Sequence, residues 1–353
     1  SCEVDGTLIM QNCTFREYST NELLNPSSML SKGNESGNIF DGCIFEDTTK
    51  CGVYIESGIH TFNNCIFQNI NTETASKKAL YVKTPSEYDN EFATIFVNGC
   101  TFINNSGLSQ GGAVFINSKT VASFDNNRFI NNHVNPGLFD RAQGGSVYIK
   151  QFTEPIIFTI SNCYFENDSS SGTGGSIYCE FYDITYSGSS DKMYDIPIII
   201  DNCQFKKCSS KDRGGAISNG SPSSYSGSSG DTNTGDIIIQ GCHFEECTSS
   251  LGGCISSHDG TEQADEETNI TDCIFERCEA STLGSCIYSL TYRFYLSNSK
   301  FSEQTKGTSM IYLKMNEKVN PLIYNCTFVN NEINSVSCEV DGTLIMQNCT
   351  FRE

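Results

Sequence analysis

The sequence has no tryptophan, only 7 prolines and few basic residues. Its 22 lysines and arginines stand against 42 aspartates and glutamates, giving a formal net charge of -20. A surface of that sign repels phosphate backbones and anionic lipid headgroups, so we expect no nucleic-acid partner. A helix that spans a membrane needs about 18 consecutive apolar residues, and no apolar run in the sequence is that long. We therefore expect no membrane insertion by this segment. Residues 1–5 also lack the features of a signal peptide.

What the sequence does contain is repetition, at two lengths. Residues 1–17, SCEVDGTLIMQNCTFRE, recur without change at 337–353, an offset of 336 residues. An identity of this length does not arise by chance. We therefore interpret residues 1–336 as one long repeat unit and residues 337–353 as the start of the next. Since no linker-like segment separates them, we expect both to belong to one continuous solenoid.

A shorter motif recurs within the unit, with an Asn, Gly or Asp first, then in most copies a Cys, and a Phe at the fourth position. The eleven intervals between its phenylalanines fill the 336-residue unit, so we predict eleven coils per unit with loops of varying length. The motif phenylalanine lies at twelve positions, 22 to 40 residues apart: Phe15, Phe45, Phe67, Phe102, Phe129, Phe165, Phe205, Phe244, Phe275, Phe301, Phe328 and Phe351.

The motif also predicts the direction of each side chain. Its first letter tolerates a positive φ, so we expect the chain to bend there through a single left-handed residue. Strand alternation then directs the Cys and the Phe inward, together with an apolar residue two positions before the turn. The fifth coil departs from this pattern, because we place its turn at Asn127 and therefore find Asp125 in the apolar column. The adjacent Phe124 suggests a one-residue slip or bulge.

A second short strand follows the Phe in most coils. It reads as two glycines, a small residue and a Val or Ile, as in GGAVF (111–115) and GGSIY (174–178). Paired glycines permit a tight turn and a close backbone approach. Helical periodicity is nearly absent and no hairpin dipeptides join neighbouring strands, so the strands are expected to pair in parallel between successive coils. The sequence therefore predicts an all-β solenoid, a parallel β-helix.

The succession of F-x-x-N and G-G-A-[ILV], as in FINNSGLSQGGAVF (102–115), resembles the repeats of the chlamydial polymorphic outer-membrane proteins and of similar surface proteins of some protists. The resemblance covers most of the chain, with about one motif pair per coil. It implies a right-handed parallel β-helix of the pectin-lyase-like type, carried by a secreted or surface-displayed adhesin. This chain departs from the pattern where Cys replaces that Asn, and the coils at 70–82 and 332–340 lack a clean double glycine.

Cysteine is abundant, with 19 residues, ten of them at the inward motif position. We interpret those ten as small buried side chains with free thiols. Zinc binding is disfavoured because the Cys spacing follows the coils, no C-x-x-C occurs and the 4 histidines are scattered. The disulfide candidates occupy equivalent sites on successive coils, with a pairing that the sequence leaves open: Cys208, Cys247 and Cys278 on three coils, and Cys254 and Cys286 on two.

Parallel β-helices include enzymes that degrade polysaccharides, and such enzymes gather carboxylates on one lateral face. The densest acidic run, EQADEET (262–268), falls in a predicted loop. We interpret it as a solvated loop, with weak calcium binding as the alternative. Lys206, Lys207, Lys211 and Arg213 form a basic patch that we assign to the surface. Since no G-x-S-x-G, P-loop or H-E-x-x-H motif occurs, we expect no catalytic site and no cofactor.

Four Asn-x-Ser/Thr triplets fall in loop-like or edge positions, and they are candidate N-glycosylation sites for a eukaryotic secretory route: Asn34, Asn104, Asn167 and Asn269. We discount the same triplet at Asn12, Asn325 and Asn348, because those residues occupy the turn beside a buried Cys.

Two functions follow from this pattern. The first is a structural fibre or stalk, extracellular or on a cell surface, with units joined end to end and adhesion through its loops. Its partners would be further copies of itself and glycans or proteins of a host or matrix. The second is a β-helix that degrades or binds polysaccharides. The long repeat favours the first, because an array would duplicate a catalytic site in every unit.

Overall fold

The structure, a computed structural model, describes residues 8–16, 37–49, 51–55, 57–72, 78–83, 93–117, 120–135, 142–152, 158–182, 197–220, 236–258, 267–315 and 319–353. These residues form a right-handed parallel β-helix, in which each coil contributes a strand to each of two or more sheets running the length of the solenoid. All strand pairs between neighbouring coils are parallel, as in β1 with β3 and β37 with β40. The predicted fold class is therefore confirmed.

Sheets 1 and 2 each contain one strand from every one of twelve coils. Sheet 1 consists of β1 (Ile9–Gln11), β3 (Asn38–Asp41), β6 (Gly58–Asn63), β9 (Ala93–Asn98), β13 (Thr120–Asp125), β17 (Phe158–Ser161), β21 (Ile198–Asp201), β25 (Ile237–Gln240), β29 (Glu267–Thr271), β33 (Arg293–Ser297), β36 (Leu322–Tyr324) and β39 (Ile345–Gln347). Sheet 2 consists of β2 (Thr14–Arg16), β4 (Ile44–Thr48), β7 (Ile66–Ile70), β10 (Thr101–Ile103), β14 (Arg128–Ile130), β18 (Tyr164–Glu166), β22 (Gln204–Lys206), β26 (His243–Glu245), β30 (Ile274–Glu276), β34 (Lys300–Ser302), β37 (Thr327–Val329) and β40 (Thr350–Arg352).

Two further sheets complete the coils. Sheet 3 consists of the short strands β11 (Ser106–Leu108), β15 (His133–Asn135), β19 (Ser169–Ser170), β23 (Ser209–Ser210), β27 (Thr248–Leu251) and β31 (Glu279–Leu283). Sheet 4, which follows the double glycines, consists of β5 (Val53–Ile55), β8 (Leu80–Lys83), β12 (Val114–Asn117), β16 (Val147–Phe152), β20 (Ile177–Tyr182), β24 (Ile217–Gly220), β28 (Ile255–His258), β32 (Ile287–Ser289), β35 (Ser309–Met315) and β38 (Asn334–Val340).

The core is built from columns of side chains at equivalent positions of successive coils. The motif phenylalanines stack ring on ring through the solenoid, with centroids 4.7 Å apart between Phe67 and Phe102 and 5.0 Å apart between Phe205 and Phe244. This separation matches the about 4.8 Å between neighbouring strands, so the strand register alone brings the rings into contact. Each coil buries its apolar residues only against the coils beside it.

Coils 2 to 11 bend at more than the one left-handed residue that the sequence predicts. The motif turn has a positive φ, for example 52° at Asn64. A second positive φ occurs two residues after the Phe, at 54° in Asn104 and 55° in Lys207. A third occurs at the first residue of the double glycine, at 63° in Gly174. In coils 4 to 9, where all three bends occur, they separate the four sheets.

In the fifth coil, the predicted position of the turn is wrong by one residue. Its left-handed residue is Asn126, with φ 54°, and not Asn127. Phe124 takes the apolar position opposite Val97, and β13 pairs with both neighbouring strands in unbroken register, so there is no slip or bulge. Asn127 instead stands in the cysteine column and is buried. Asp125 lies outside the core, one residue before the turn.

Candidate functional site

The repeated segment occurs at both ends of sheets 1 and 2. At one end, β1 and β2 pair with β3 and β4, with Met10 opposite Phe40 and the rings of Phe15 and Phe45 5.1 Å apart. At the other end, β39 and β40 pair with β36 and β37, and the ring of Phe351 stacks 4.9 Å from Phe328. Because the two segments have the same sequence, one coil is observed pairing through each of its two edges.

An ion pair strengthens the contact that follows this repeated coil. The Arg16 guanidinium Nη2 lies 2.6 Å from Oε1 of Glu46, and its Nε lies 3.5 Å from Asp47. Glu46 is only 4% exposed and also accepts a hydrogen bond from Gln68 at 2.5 Å. A carboxylate so enclosed is stabilised by its charged partner. Arg352 is the copy of Arg16 in the second segment.

The inward cysteines are hydrogen-bonding groups of the turn. The Cys65 thiol donates to the Phe40 carbonyl of the preceding coil at 3.4 Å. The backbone N–H of Cys65 donates to the Cys100 sulfur of the next coil at 3.3 Å. Asn127 does the same in the fifth coil, donating to the Val97 carbonyl at 2.8 Å. All ten inward cysteines are free: Cys13, Cys43, Cys65, Cys100, Cys163, Cys203, Cys242, Cys273, Cys326 and Cys349.

A second inward column lies three residues after the Phe. Asn105 donates to the Phe67 carbonyl at 2.9 Å, and Cys208 donates to the Phe165 carbonyl at 3.7 Å. These side chains cap the carbonyls that the second bend leaves without a strand partner. Asn, Asp, Cys and Gln all occupy the column: Asn105, Asn132, Asp168, Cys208, Cys247, Cys278, Gln304 and Asn331.

The structure brings the disulfide candidates together in adjacent coils. A disulfide joins Cys254 to Cys278, whose Cα atoms lie 6.4 Å apart. Cys208, Cys247 and Cys286 are free and fully buried. The bridge therefore links one candidate column to the other, a pairing that repeat spacing does not indicate.

Two lysines of the basic patch, Lys206 and Lys207, form ion pairs with the next coil. Lys206 Nζ lies 2.9 Å from Glu245, and Lys207 Nζ lies 3.7 Å from Glu246. Hydrogen bonding and charge attraction from Glu245 raise the pKa of Lys206. Arg213 lies 3.8 Å from Asp212. These contacts place the patch on the outer surface, as the sequence indicated.

Three ionisable side chains are buried in the core although the sequence did not predict it. Asp168 is fully buried, and burial raises its pKa to about 7 although the Asn132 N–H donates to it at 2.9 Å. Burial lowers the pKa of Lys78 to about 7, and its ammonium donates to the Leu108 carbonyl at 3.0 Å. Burial lowers the pKa of His60 to about 4, and its ring donates to the Ser57 carbonyl at 2.8 Å.

The candidate glycosylation sites differ in backbone setting. Asn104 and Asn167 are exposed and stand at the second bend, each with a φ of 54°. Asn269 lies within β29 and donates to Glu267 at 3.2 Å. Asn34 lies outside the described residues, as does most of the acidic run at 262–268, of which only residues 267 and 268 are described.

The outer face of sheet 1 carries exposed aromatic rings near one end of the solenoid. Tyr295 is 37% exposed and Tyr324 is 40% exposed. A cavity of about 150 Å³ opens beside Tyr295, lined by Tyr292, Arg293, Phe294, Tyr295, Val319, Asn320 and Pro321. In the described ranges, no group of three or more His, Cys, Asp or Glu side chains could hold a metal ion. Nor does that part of the chain include a helix long and apolar enough to cross a membrane.

No family model and no curated protein matches the sequence. Among solved structures, the chain is similar to the catalytic unit of the thermostable GH87 α-1,3-glucanase from Streptomyces thermodiastaticus strain HF3-3, at 10% identity and a TM-score of 0.36, covering 90% of this chain and 62% of that one. It is also similar to the tailspike protein gp49 of Acinetobacter baumannii bacteriophage Fri1, a capsular polysaccharide depolymerase, at 11% identity and a TM-score of 0.25, covering 97% and 63%. Likeness at this level carries no argument about activity.

Proposed function

We propose that this chain is a rigid, non-enzymatic segment of an extracellular or cell-surface fibre, in which successive 336-residue units continue one solenoid. The supporting observation is the repeated coil. Its sequence pairs through one edge as β1 and β2 and through the opposite edge as β39 and β40. A copy between two units therefore has a partner already observed on each side, and the units need no other joint.

The repeated coil also fixes the register between units. The segment at 345–352 follows β36 and β37 directly, and the same segment at 9–16 precedes β3 and β4. Joining the two views gives a continuous stack of eleven coils per unit. At about 4.8 Å per coil, each unit adds about 53 Å to the length of the fibre.

The experiment compares chains of one and two units by electron microscopy. We expect rods of uniform width, with the two-unit chain longer by about 53 Å and no bend at the joint. Two compact particles connected at variable angles would contradict the proposal. An added length far from that value would also contradict it.

Passive carbohydrate binding is a second candidate, favoured by the cavity beside Tyr295. Exposed aromatic faces and a guanidinium are groups that contact sugar rings and hydroxyls. Since the chain has no Trp, binding can be followed by tyrosine fluorescence. Titration with oligosaccharides should change the signal of the parent chain, and Tyr295→Ala should abolish the change. Tyr164→Ala, on the outer face of sheet 2, is the matched control. No change in the parent chain would exclude this candidate for the sugars tested.

A further inference from the structure

Besides Cys242 and Cys273 at the inward motif position, coils 8 and 9, which contain Phe244 and Phe275, hold four buried cysteines, and only two of these four are bonded. Coil 8 supplies Cys247 and Cys254, and coil 9 supplies Cys278 and Cys286. All four have an exposure of 0%. The Cys254–Cys278 disulfide crosses from one coil to the next. Two free thiols are thus enclosed with a disulfide in the same stretch of core.

Each bonded cysteine has one of the free thiols as its neighbour at the equivalent position of the adjacent coil. Cys247 lies beside Cys278, because the N–H of Glu279 donates to the Cys247 carbonyl at 2.9 Å. Cys286 lies beside Cys254, whose N–H donates to the Cys286 carbonyl at 3.0 Å. Equivalent residues of neighbouring coils are about 4.8 Å apart. A disulfide joins residues whose Cα atoms are about 4.4–6.8 Å apart, so this spacing permits one.

We propose that these four cysteines form an exchangeable clamp, in which the disulfide moves among Cys254–Cys278, Cys247–Cys278 and Cys254–Cys286. In every one of these pairings the bond joins coil 8 to coil 9. The clamp therefore holds the two coils together whichever pair is bonded. It does not depend on the fibre function.

The exchange needs no oxidant or reductant. The Cys247 thiol loses its proton, and the thiolate attacks the Cys278 sulfur. A Cys247–Cys278 bond forms, the Cys254–Cys278 bond breaks, and Cys254 leaves as a thiolate that takes up the proton. Attack by Cys286 on the Cys254 sulfur releases Cys278 in the same way. Burial raises the pKa of Cys286, so its thiolate is scarce in the folded chain and exchange is slow until the pH rises or the coils open.

Disulfide mapping of two variants of the full chain tests the clamp. After refolding in oxidised glutathione, Cys278→Ser should contain Cys254–Cys286, and Cys254→Ser should contain Cys247–Cys278. Chymotryptic cleavage after Leu251 and Leu283 separates the cysteines of each coil, so mass spectrometry distinguishes the pairings. Cys203→Ser, at the inward motif position, is the control and should keep Cys254–Cys278.

Fully alkylated thiols in both variants, with the circular dichroism of the parent chain, would overturn the proposal. If a variant does not fold, the unmodified chain is incubated at about pH 9 in mild urea with its free thiols left open. Redistribution of the bond onto Cys247 or Cys286 supports the clamp. A bond that stays wholly at Cys254–Cys278 under these conditions refutes it.

Discussion

At the scale of single residues, the interior is defined by hydrogen bonding as much as by size. The inward motif position is occupied by Cys, by Asn127 and by Ser299, because each of these side chains both donates and accepts hydrogen bonds. We call these residues the motif column. Ser299 in the tenth coil accepts the Cys273 N–H at 3.1 Å and donates to the Ser297 carbonyl at 2.8 Å. An isosteric apolar residue would leave the Cys273 N–H without this acceptor in the core, while the Ser297 carbonyl would keep the hydrogen bond from the Asp272 N–H at 3.1 Å.

The column can be tested at Cys203. Its sulfur accepts the Cys163 N–H at 3.4 Å, and its thiol donates to the Ile160 carbonyl at 3.5 Å. Cys203→Val should lower the free energy of unfolding by about 1–3 kcal/mol, while Cys203→Ser should cost less because it keeps both roles. Urea unfolding of the two variants measures the difference. Equal losses would show that the column is selected for volume alone.

Asp168 gives the chain a pH dependence of stability. Its folded pKa of about 7 lies above the ordinary value of 3.8, so the unfolded chain releases this proton first as the pH rises. The contribution of Asp168 is therefore complete below about pH 4, declines between pH 4 and 7, and stays low above pH 7.

Asp168→Asn should remove that decline. The variant places in the sixth coil the residue that Asn132 places in the fifth. It should exceed the parent in unfolding free energy at pH 8 by on the order of 2–4 kcal/mol, with little difference at pH 4. Urea unfolding across this pH range provides the measurement. A gain that is the same at both pH values would contradict the assignment.

At the scale of elements, the sequence predicts the strands better than the bends. Recurrent Cys and Phe identify sheets 1 and 2, and the double glycine identifies sheet 4. The second bend was not predicted because its residue type varies, as Asn104 and Lys207 show. The Asn of the F-x-x-N pattern nevertheless lies one residue after this bend. The same pattern places Asp168 in line with Asn132. The predicted turn of the fifth coil was one residue too late because positions 126 and 127 are both Asn, and only the strand pairing shows which of them is the turn.

The second bend leaves some coils strained. Lys207 has a φ of 55°, a conformation that costs most side chains about 1–2 kcal/mol and Asn less. Lys207→Asn should therefore raise the free energy of unfolding by about 0.5–1 kcal/mol, since its exposed ion pair contributes little. Thermal unfolding checks this. Lys206→Asn, in the extended strand next to it, should bring no gain.

The double glycine is required by backbone contact between coils. A Cβ on Gly175 would overlap the Gly215 carbonyl of the next coil and approach the Ser209 carbonyl to 2.6 Å. Gly175→Ala should destabilise the chain by more than about 3 kcal/mol, because neither carbonyl can withdraw without breaking its strand pairs. Soluble yield and urea unfolding would register the loss. Ser176→Ala should be tolerated, because Ala216 occupies that position in the next coil.

At the scale of the whole molecule, the long repeat governs the proposed assembly, and only the structure supplies its register. The 17-residue identity predicts that units follow one another. The identity alone does not reveal that the repeated coil pairs through both edges, or that Glu46 is enclosed beside Arg16. The sequence identifies Cys254 and Cys278 as disulfide candidates but not as partners, because they belong to different columns and meet only after the coils stack.

Arg352 tests the joint between units. In the two-unit chain it should pair with the copy of Glu46 in the second unit, as Arg16 pairs with Glu46. Arg352→Ala should then cost the two-unit chain about 1–3 kcal/mol, because a buried carboxylate loses its charged partner. The one-unit chain, where Arg352 is exposed, is the control and should not change. Equal effects in both lengths, measured by urea unfolding, would argue against a continuous stack.

The hydrogen bonds between coils run along the axis of the solenoid, and this orientation sets its response to tension. A pull on the two ends loads the coils in series, so we expect the terminal coils to peel away one at a time. Coils 22 to 40 residues long would each release about 75–140 Å of chain. Between coils 8 and 9 the Cys254–Cys278 bond would withhold its 24-residue loop. Such a fibre would yield in graded steps and absorb work before it breaks.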